Sequence, residues 1–365
     1  MLLGKTVAVV VPAYNEQDQI ISVLETMPAF VDRIIVVNDC STDETGARVL
    51  DYAKTADQRL STAESPRNQI DAGRYSQAQI VAEQLNEQEI RFFIPSKVAN
   101  KTPERDRIII INQLVNGGVG AAIARGYKWC KDHRIDCTAV MAGDAQMDPA
   151  ELESICLPVI TEGIDYVKGN RLIHRSAWLV VPKVRFIGNS VLTLLTKIAS
   201  GYWHVSDTQT GYTAISLKAL NAIPLYKIYP RYGMPNDMLV KLNIAFCTLR
   251  EVEIKPVYRI GEKSKMKIWK VMPIISFLLF RLFFKRLWVK YFFRDFHPLF
   301  ILYHLSFLIG IVTIPIFSMV LKETISGEPY RLSVLILFAL LVISGFQCLL
   351  FSMWMDIIDN ERLHR

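Results

Sequence analysis

The residues of this 365-residue chain best suited to chemistry lie at 140–149, in VMAGDAQMDP. An apolar run over 137–141 breaks at Gly143 into Asp144-Ala145-Gln146, and Pro149 opens a helical pattern. That is how a buried parallel strand ends, with its first polar side chains at the carboxyl edge of a sheet, where open α/β sheets bind ligands. An Asp with a Gln two residues on offers two hard oxygens to one divalent cation, and such a cation suits a diphosphate. An isolated D-x-Q is far better explained by a solvated strand-to-helix turn, so its company decides. Two earlier strand ends supply that company, one with Asn15 and Glu16, the other with Asn38 and Asp39. Three such ends in one sheet make a polar site that a core would not tolerate without a ligand.

The scaffold behind these ends follows from the hydrophobic pattern. Strands are expected at 6–11, 33–37, 107–111 and 137–141, with helices over 17–27, from Ser41-Thr42-Asp43-Glu44 to about 54, over 121–131 and over 151–162. Alternating β and α units of this length imply a doubly wound, mostly parallel sheet. A long interruption at 55–106, with a helix expected over 74–88, reads as a small helical insertion that the sheet does not need to close. Further on, a strand at 166–169 leads to Arg171 and an amphipathic helix at 182–200 carries Arg185. The polar loop 206–212 precedes a strand at 213–216, Pro235-Asn236-Asp237 caps a helix to about 246, and a last strand is expected at 251–258.

Composition adds a membrane. Hydrophobic residues make up 51% of the chain, and the excess is concentrated: 299–321 and 332–355 contain no Lys, Arg, Asp or Glu. Each run exceeds the roughly 20 residues that cross a bilayer. The net charge of +7 is localised too. Residues 1–258 balance 28 basic against 28 acidic residues, whereas 259–365 hold 14 against 7. A basic stretch just before two apolar runs points to an anionic membrane surface or a phosphate as partner, not to nucleic acid. Arg281 and Lys285, then Arg286, Lys290 and Arg294, recur at a spacing of four among Phe and Leu, as on an interfacial amphipathic helix. The positive-inside rule places the N-terminal domain and the C-terminus in the cytoplasm, with 322–331 as a short outer loop. The six cysteines show no metal-ligand spacing and read as reduced thiols. No cleavable signal peptide is evident. The expected domains are 1–258 (with the insertion at about 55–106), a basic juxtamembrane segment at 259–296, two transmembrane helices within 297–355 and a cytoplasmic tail at 356–365.

Six strings in order, VVPAYNE (10–16), VVNDCSTDET (36–45), NGGVGAA (116–122), GDAQMDP (143–149), TGYTAIS (210–216) and RIGEKSK (259–265), resemble the inverting family-2 glycosyltransferases of GT-A fold. More specifically, they resemble the membrane-anchored branch that charges polyisoprenyl phosphates, typified by dolichol-phosphate mannose synthase. The resemblance implies a GT-A α/β fold and transfer of a hexose from a nucleotide-diphosphate sugar, a UDP-sugar favoured, to a polyisoprenyl phosphate at a bacterial inner membrane or its equivalent. It implicates Pro12, Tyr14, Glu16 and Asp39 in nucleotide binding. Asp144 and Gln146 would hold a divalent cation, Mg or Mn, with Asp144 catalytic. Arg171, Arg185, Arg259, Ser264 and Lys265 would bind the acceptor phosphate, and Asp207 would stand beside the acceptor as catalytic acid, base or orienting group, with Asp237 as another candidate base. The first acid of the family's D-A-D-x-Q is Ala142 here, so the metal site lacks one carboxylate. Two rival readings remain open: a same-fold enzyme acting on a lipid alcohol or a polysaccharide, and a non-catalytic nucleotide-sugar-binding scaffold. Polysaccharide synthases of this fold carry Q-x-x-R-W, which is absent here. Homo-oligomerisation is also left open.

Overall fold

The computed structural model describes residues 1–55, 76–177, 183–257, 268–327 and 329–365. Strand β1 (Val7–Ala13) is buried at every position. Its neighbour β2 (Arg33–Asn38) and the next strand beyond it, β4 (Ile108–Gln113), are equally rich in Val and Ile, as strands covered on both faces are. With β3 (Ser96–Val98), β5 (Cys137–Val140), β6 (Tyr166–Asn170), β7 (Thr213–Ser216) and β8 (Leu249–Glu253) they form one sheet in the order β3-β4-β2-β1-β5-β7-β6-β8. Strands β4, β2, β1 and β5 are parallel neighbours. Strand β7 runs antiparallel between β5 and β6, and β8 is parallel to β6. The carboxyl ends of β1, β2, β5, β6 and β8 therefore share one edge, and the loop feeding β7 starts there too.

Helices α1 (Ile20–Glu25), α2 (Thr45–Thr55) and α5 (Leu152–Thr161) pack on one face. On the other lie α4 (Val119–Asp132), α7 (Leu217–Ala222) and α8 (Met234–Ile244). The expected segments are nearly all present, with ends moved by a few residues. The last strand moves furthest, starting at Leu249 instead of 251 and stopping at Glu253.

The insertion contributes a strand to the sheet, which its composition did not suggest. Its helix α3 (Gln77–Gln88) forms where expected, but β3 joins the sheet by pairing antiparallel with β4. Asn100 donates to the Ile108 carbonyl at 2.8 Å and accepts from Ile110 N–H at 2.7 Å. Arg33 donates to the carbonyls of Glu104 and Asp106, and Lys131 pairs with Glu89 at 3.1 Å. These long-range bonds are invisible to a local pattern.

The C-terminal third begins with α9 (Ile268–Trp288), which packs along α6 (Lys183–Ser200) and continues through a π-helical turn, Val289–Arg294. Helices α10 (Pro298–Ser326) and α11 (Leu332–Glu361) are long and apolar enough to cross a membrane, with mean hydropathy 2.2 and 2.7 in their most apolar windows. Only 17% and 0% of those windows is buried, unlike a core helix of a soluble protein. Because α10 runs on to Ser326, the turn between the two is shorter than the expected 322–331 loop.

One expectation is corrected here. Arg286 and Lys290 do not lie on an exposed basic stripe: they are 0% and 1% exposed. Both nitrogens at the tip of Arg286 bond Asp356 of α11 at 2.7 Å, and the same guanidinium donates to the carbonyls of Ala199 and Ile198 at the end of α6, each at 3.0 Å. Lys290 reaches Asp359 at 3.2 Å, Asn360 at 2.6 Å and Asn243 of α8 at 3.1 Å. Gly201, at φ +78°, makes room, since a Cβ there would lie 2.6 Å from Arg286 Nη1. In the segment expected as a tail, 356–365, the helix α11 runs on to Glu361. Leu363 is in the core of the α/β domain, its carbonyl accepts from Leu249 N–H at 2.7 Å, and Arg365 N–H donates to the Leu249 carbonyl at 3.0 Å, which ties the end of the chain to the first residue of β8.

Burial lowers the pKa of a guanidinium, but the Asp356 carboxylate outweighs it and holds Arg286 above its ordinary value. Asp356→Ala strands that charge in the interior. It is expected to cost about 3–5 kcal/mol, read as a lower thermal midpoint of the detergent-solubilised protein. Arg286→Met combined with Asp356→Leu should recover most of the loss.

Candidate active site

The loops that follow β1 and β2 are laced to each other. Asn15, at φ +55°, turns the chain after Ala13; its side chain accepts from Thr42 N–H at 2.9 Å, and its own N–H donates to Ser41 at 3.1 Å. Glu16 N–H donates to Thr45 Oγ1 at 2.9 Å. Tyr14 is exposed at this edge, while Pro12 is buried and its carbonyl accepts from Gly143 N–H at 3.2 Å. The first nucleotide-binding candidates thus sit against the D-x-Q segment.

Asp39 is buried, and its two oxygens accept from Gly117 and Gly118 N–H at 2.7 Å each. Burial raises its pKa against the pull of those two bonds. Gly118 has φ +88°, and a Cβ there would lie 2.7 Å from the Pro230 carbonyl oxygen; only glycine fits. Asp39 therefore clamps the Asn116–Gly120 turn, and it supports whatever binds at this edge by holding that turn.

At the end of β5, Ala145 adopts φ +57° and Gln146 N–H closes on Asp144 Oδ1 at 3.2 Å. Both acid and amide are half-buried at the sheet edge. Among the described residues no group of three or more His, Cys, Asp or Glu is arranged to hold a metal. Asp144 and Gln146 supply two hard oxygens, the partial set with which Mg- or Mn-type cations bind when phosphate oxygens and water complete the shell. The donor set fits such a cation.

The neighbouring strands bring up a second cluster. Arg171, just past β6, donates to Asp207 from Nε at 2.9 Å and Nη2 at 3.1 Å. Asp207, 1% exposed, also accepts the backbone N–H groups of Arg171, Gln209 and Thr210 at 3.2 Å. Burial alone would raise its pKa, but the Arg171 guanidinium and these bonds outweigh it and hold the carboxyl below the usual range. An ionised carboxylate so fully engaged is a weak base and a firm anchor. Asp237 is further from a base's role: it is buried, accepts Tyr229 N–H at 2.7 Å and pairs with Lys241.

Three residues of this cluster went unread in the sequence. Glu251 accepts Ser206 N–H and Asp207 N–H at 3.0 Å each. Asn170 accepts Leu172 N–H at 2.8 Å. Lys168 is 0% exposed and donates to the Thr210 carbonyl at 2.6 Å. For Lys168 the available signal was a charge inside a short buried strand; Asn170 and Glu251 carried none. The loop they hold also meets the D-x-Q loop: Tyr212 OH donates to the Asp148 carbonyl at 2.9 Å, and Lys255 N–H, after β8, to Glu151 at 2.8 Å. Asp144, Gln146, Arg171 and Asp207 thus come to one edge. Arg185 lies on α6 and its side chain falls outside the described atoms; Arg259, Ser264 and Lys265 lie outside the described residues.

Residues 8–78 match the family Glycosyl transferase family 2. The chain carries a family-2 glycosyltransferase domain. An uncharacterised protein of Methanocaldococcus jannaschii is 28% identical over 162 residues, 44% of this chain and 66% of that protein. The UDP-N-acetylglucosamine–dolichyl-phosphate N-acetylglucosaminyltransferase of Methanococcus voltae is 29% identical over 157 residues, 42% of this chain and 60% of that protein. The chain thus spans less than two thirds of the length of these curated relatives. Crystal structures of glucosyl-3-phosphoglycerate synthase from Mycobacterium tuberculosis, one with Mn2+, UDP and glucosyl-3-phosphoglycerate bound, align at 17% identity and TM-score 0.47 over 78% of this chain and 80% of that one. The mixed, mostly parallel sheet is that of a GT-A fold, and the matched residues include β1 and β2, whose carboxyl ends share the edge with Asp144 and Gln146.

Burial pushes the Lys168 ammonium down to about 8 despite Asp207 and Glu251 nearby. In the unfolded chain its pKa is near 10.5, so between these values the unfolded state holds the extra proton and stability rises with pH. The stability of the wild type relative to Lys168→Met is expected to increase from about pH 8 to about pH 10. Thermal midpoints of the two proteins across that range test it; a pH-independent difference contradicts the buried ammonium.

Proposed function

We propose that this protein is a membrane-anchored inverting glycosyltransferase that moves a hexose from a nucleotide-diphosphate sugar, a UDP-sugar favoured, to a polyisoprenyl phosphate. The observation that carries the reading is the shared edge: nucleotide-side loops at Tyr14–Glu16 and Asp39, the Asp144–Gln146 pair, and the Arg171–Asp207 pair. That edge belongs to a domain joined by buried ion pairs to two membrane-length helices. The name of the Methanococcus voltae relative, a dolichyl-phosphate transferase using a UDP-sugar, supports the choice of substrates.

In this reading Asp144 and Gln146 hold a Mg or Mn ion, which when bound offsets the charge that builds on the departing diphosphate. The loops at Asn15–Gln17 and Thr42–Thr45 orient the nucleoside, and Tyr14 gives its base an aromatic surface. Arg171, aimed by Asp207, presents its guanidinium to the acceptor phosphate. A phosphate is already ionised near neutral pH, so attack on the anomeric carbon needs no general base, which agrees with an Asp207 held fully ionised. The resemblance to the polyisoprenyl-phosphate branch supports Arg185, Arg259, Ser264 and Lys265 as further ligands of the acceptor phosphate. Helices α10 and α11 span the bilayer as a hairpin, which keeps both termini on the cytoplasmic face.

Membranes containing the protein, supplied with labelled nucleotide sugars and polyprenyl phosphate, are expected to move label into the lipid phase. EDTA should abolish that transfer, and Asp144→Asn should slow it by at least about a hundredfold. Full activity in EDTA removes the cation from the mechanism. Arg259→Ala and Lys265→Ala are each expected to raise the apparent Michaelis constant for polyprenyl phosphate by roughly ten- to a hundredfold, with a far smaller change for the nucleotide sugar. If only the donor constant moves, these residues serve the diphosphate instead.

A further inference from the structure

The segment between α7 and α8 packs against α9 and leaves a cavity of about 330 Å³. Lys227, Lys241, Arg281 and Lys285 line it, and Asp237 is the only carboxylate among the lining residues. Asp237 is already engaged by Tyr229 N–H and Lys241. Lys241 is buried, and burial holds its pKa below the ordinary value; Asp237 opposes that shift, while Lys285 and Lys227 are close enough to add to it. Four cations thus share a small volume with one committed carboxylate. Such an arrangement is relieved by an anion.

The surroundings say what kind of anion. Beside Arg281 and Lys285, the outer face of α9 shows Ile274, Phe277 and Phe280 at 58%, 72% and 59% exposure, and this helix leads directly into the membrane-length α10. An anion with hydrocarbon attached matches both the charged mouth and the apolar flank; a small soluble anion matches only the first. The cavity is also distinct from the edge that carries Asp144. It lies on the α8–α9 side and meets the glycosyltransferase site only indirectly, through the Pro230 carbonyl that accepts Gly120 N–H at 2.9 Å beneath the turn held by Asp39.

We propose that this cavity binds the phosphate of an anionic membrane phospholipid, with Lys227, Arg281 and Lys285 on the phosphate oxygens and the acyl chains along Ile274, Phe277 and Phe280. The ion pairs of Arg286 and Lys290 fix the C-terminal part of α9 against the domain, so the cavity is preformed.

The test is native mass spectrometry of the full chain released from nanodiscs of phosphatidylcholine containing phosphatidylglycerol. It does not depend on glycosyl transfer. The wild type is expected to retain one more phosphatidylglycerol per chain than Arg281→Ala/Lys285→Ala, and to keep it in excess inorganic phosphate. Both side chains are exposed, so the variant should fold, and Lys227→Ala/Lys285→Ala provides a second variant with the same expectation. Equal retention by wild type and variants overturns the proposal. Displacement by inorganic phosphate also overturns it, in favour of a free-anion site. Retention of polyisoprenyl phosphate but not phosphatidylglycerol overturns it in favour of the acceptor lipid.

Discussion

The bidentate bond between Arg286 and Asp356 is the joint on which the molecule depends. Both groups are 0% exposed, and taking two charges out of water costs several kcal/mol each unless their bonds are complete. Here they are. The guanidinium also bonds two carbonyls at the end of α6, and the carboxylate also accepts from Tyr291 and Asn360. A pair this buried tolerates little displacement, because any slip leaves a charge without a partner. It therefore fixes α9, α11 and the end of α6 in one arrangement, and with them the orientation of the catalytic domain relative to the membrane-length helices.

Lys290 and Asn360 extend that joint to Asn243 on α8, and the last residues of the chain bond Leu249 at the start of β8. The same packing sets α8 beneath the Tyr229–Pro230 segment, whose carbonyls approach Gly118 and Gly120. A continuous set of contacts thus runs from the membrane side of the protein to the turn gripped by Asp39.

At the sheet edge the organising physics is charge balance in a dry setting. Lys168, Arg171, Asp207 and Glu251 bring two positive and two negative charges together, with backbone N–H groups filling the remaining acceptor sites. Such a block is rigid because each member loses more by moving alone than by staying. The D-x-Q loop beside it is only half-buried, with Gln146 N–H closing on Asp144 Oδ1. In the proposed reaction the rigid block aims at the acceptor and the half-buried pair serves the donor.

The sequence by itself determined the elements and the site's address. Val- and Ile-rich runs marked β1, β2 and β4, and a short apolar run marked β5, because strands buried on both faces need no alternation. The polar residues closing those runs marked the ligand edge, because chain direction in a parallel sheet decides which end they occupy. The membrane-length helices were legible because crossing a bilayer requires an uninterrupted apolar run. What only the tertiary structure decided was who pairs with whom. Arg286 and Lys290 read as an exposed stripe, since their partners stand about 70 residues later and helical spacing cannot report a distant carboxylate. Strand β3 read as part of an insertion, since three residues carry no periodicity and its pairing depends on β4. Asp207 read as an acid of uncertain role, and its fivefold hydrogen bonding, set by a loop folding back on β6 and β8, defined it as an anchor. Local composition records how each segment meets solvent or lipid; the balance of buried charge is settled only when segments distant in the chain are brought together.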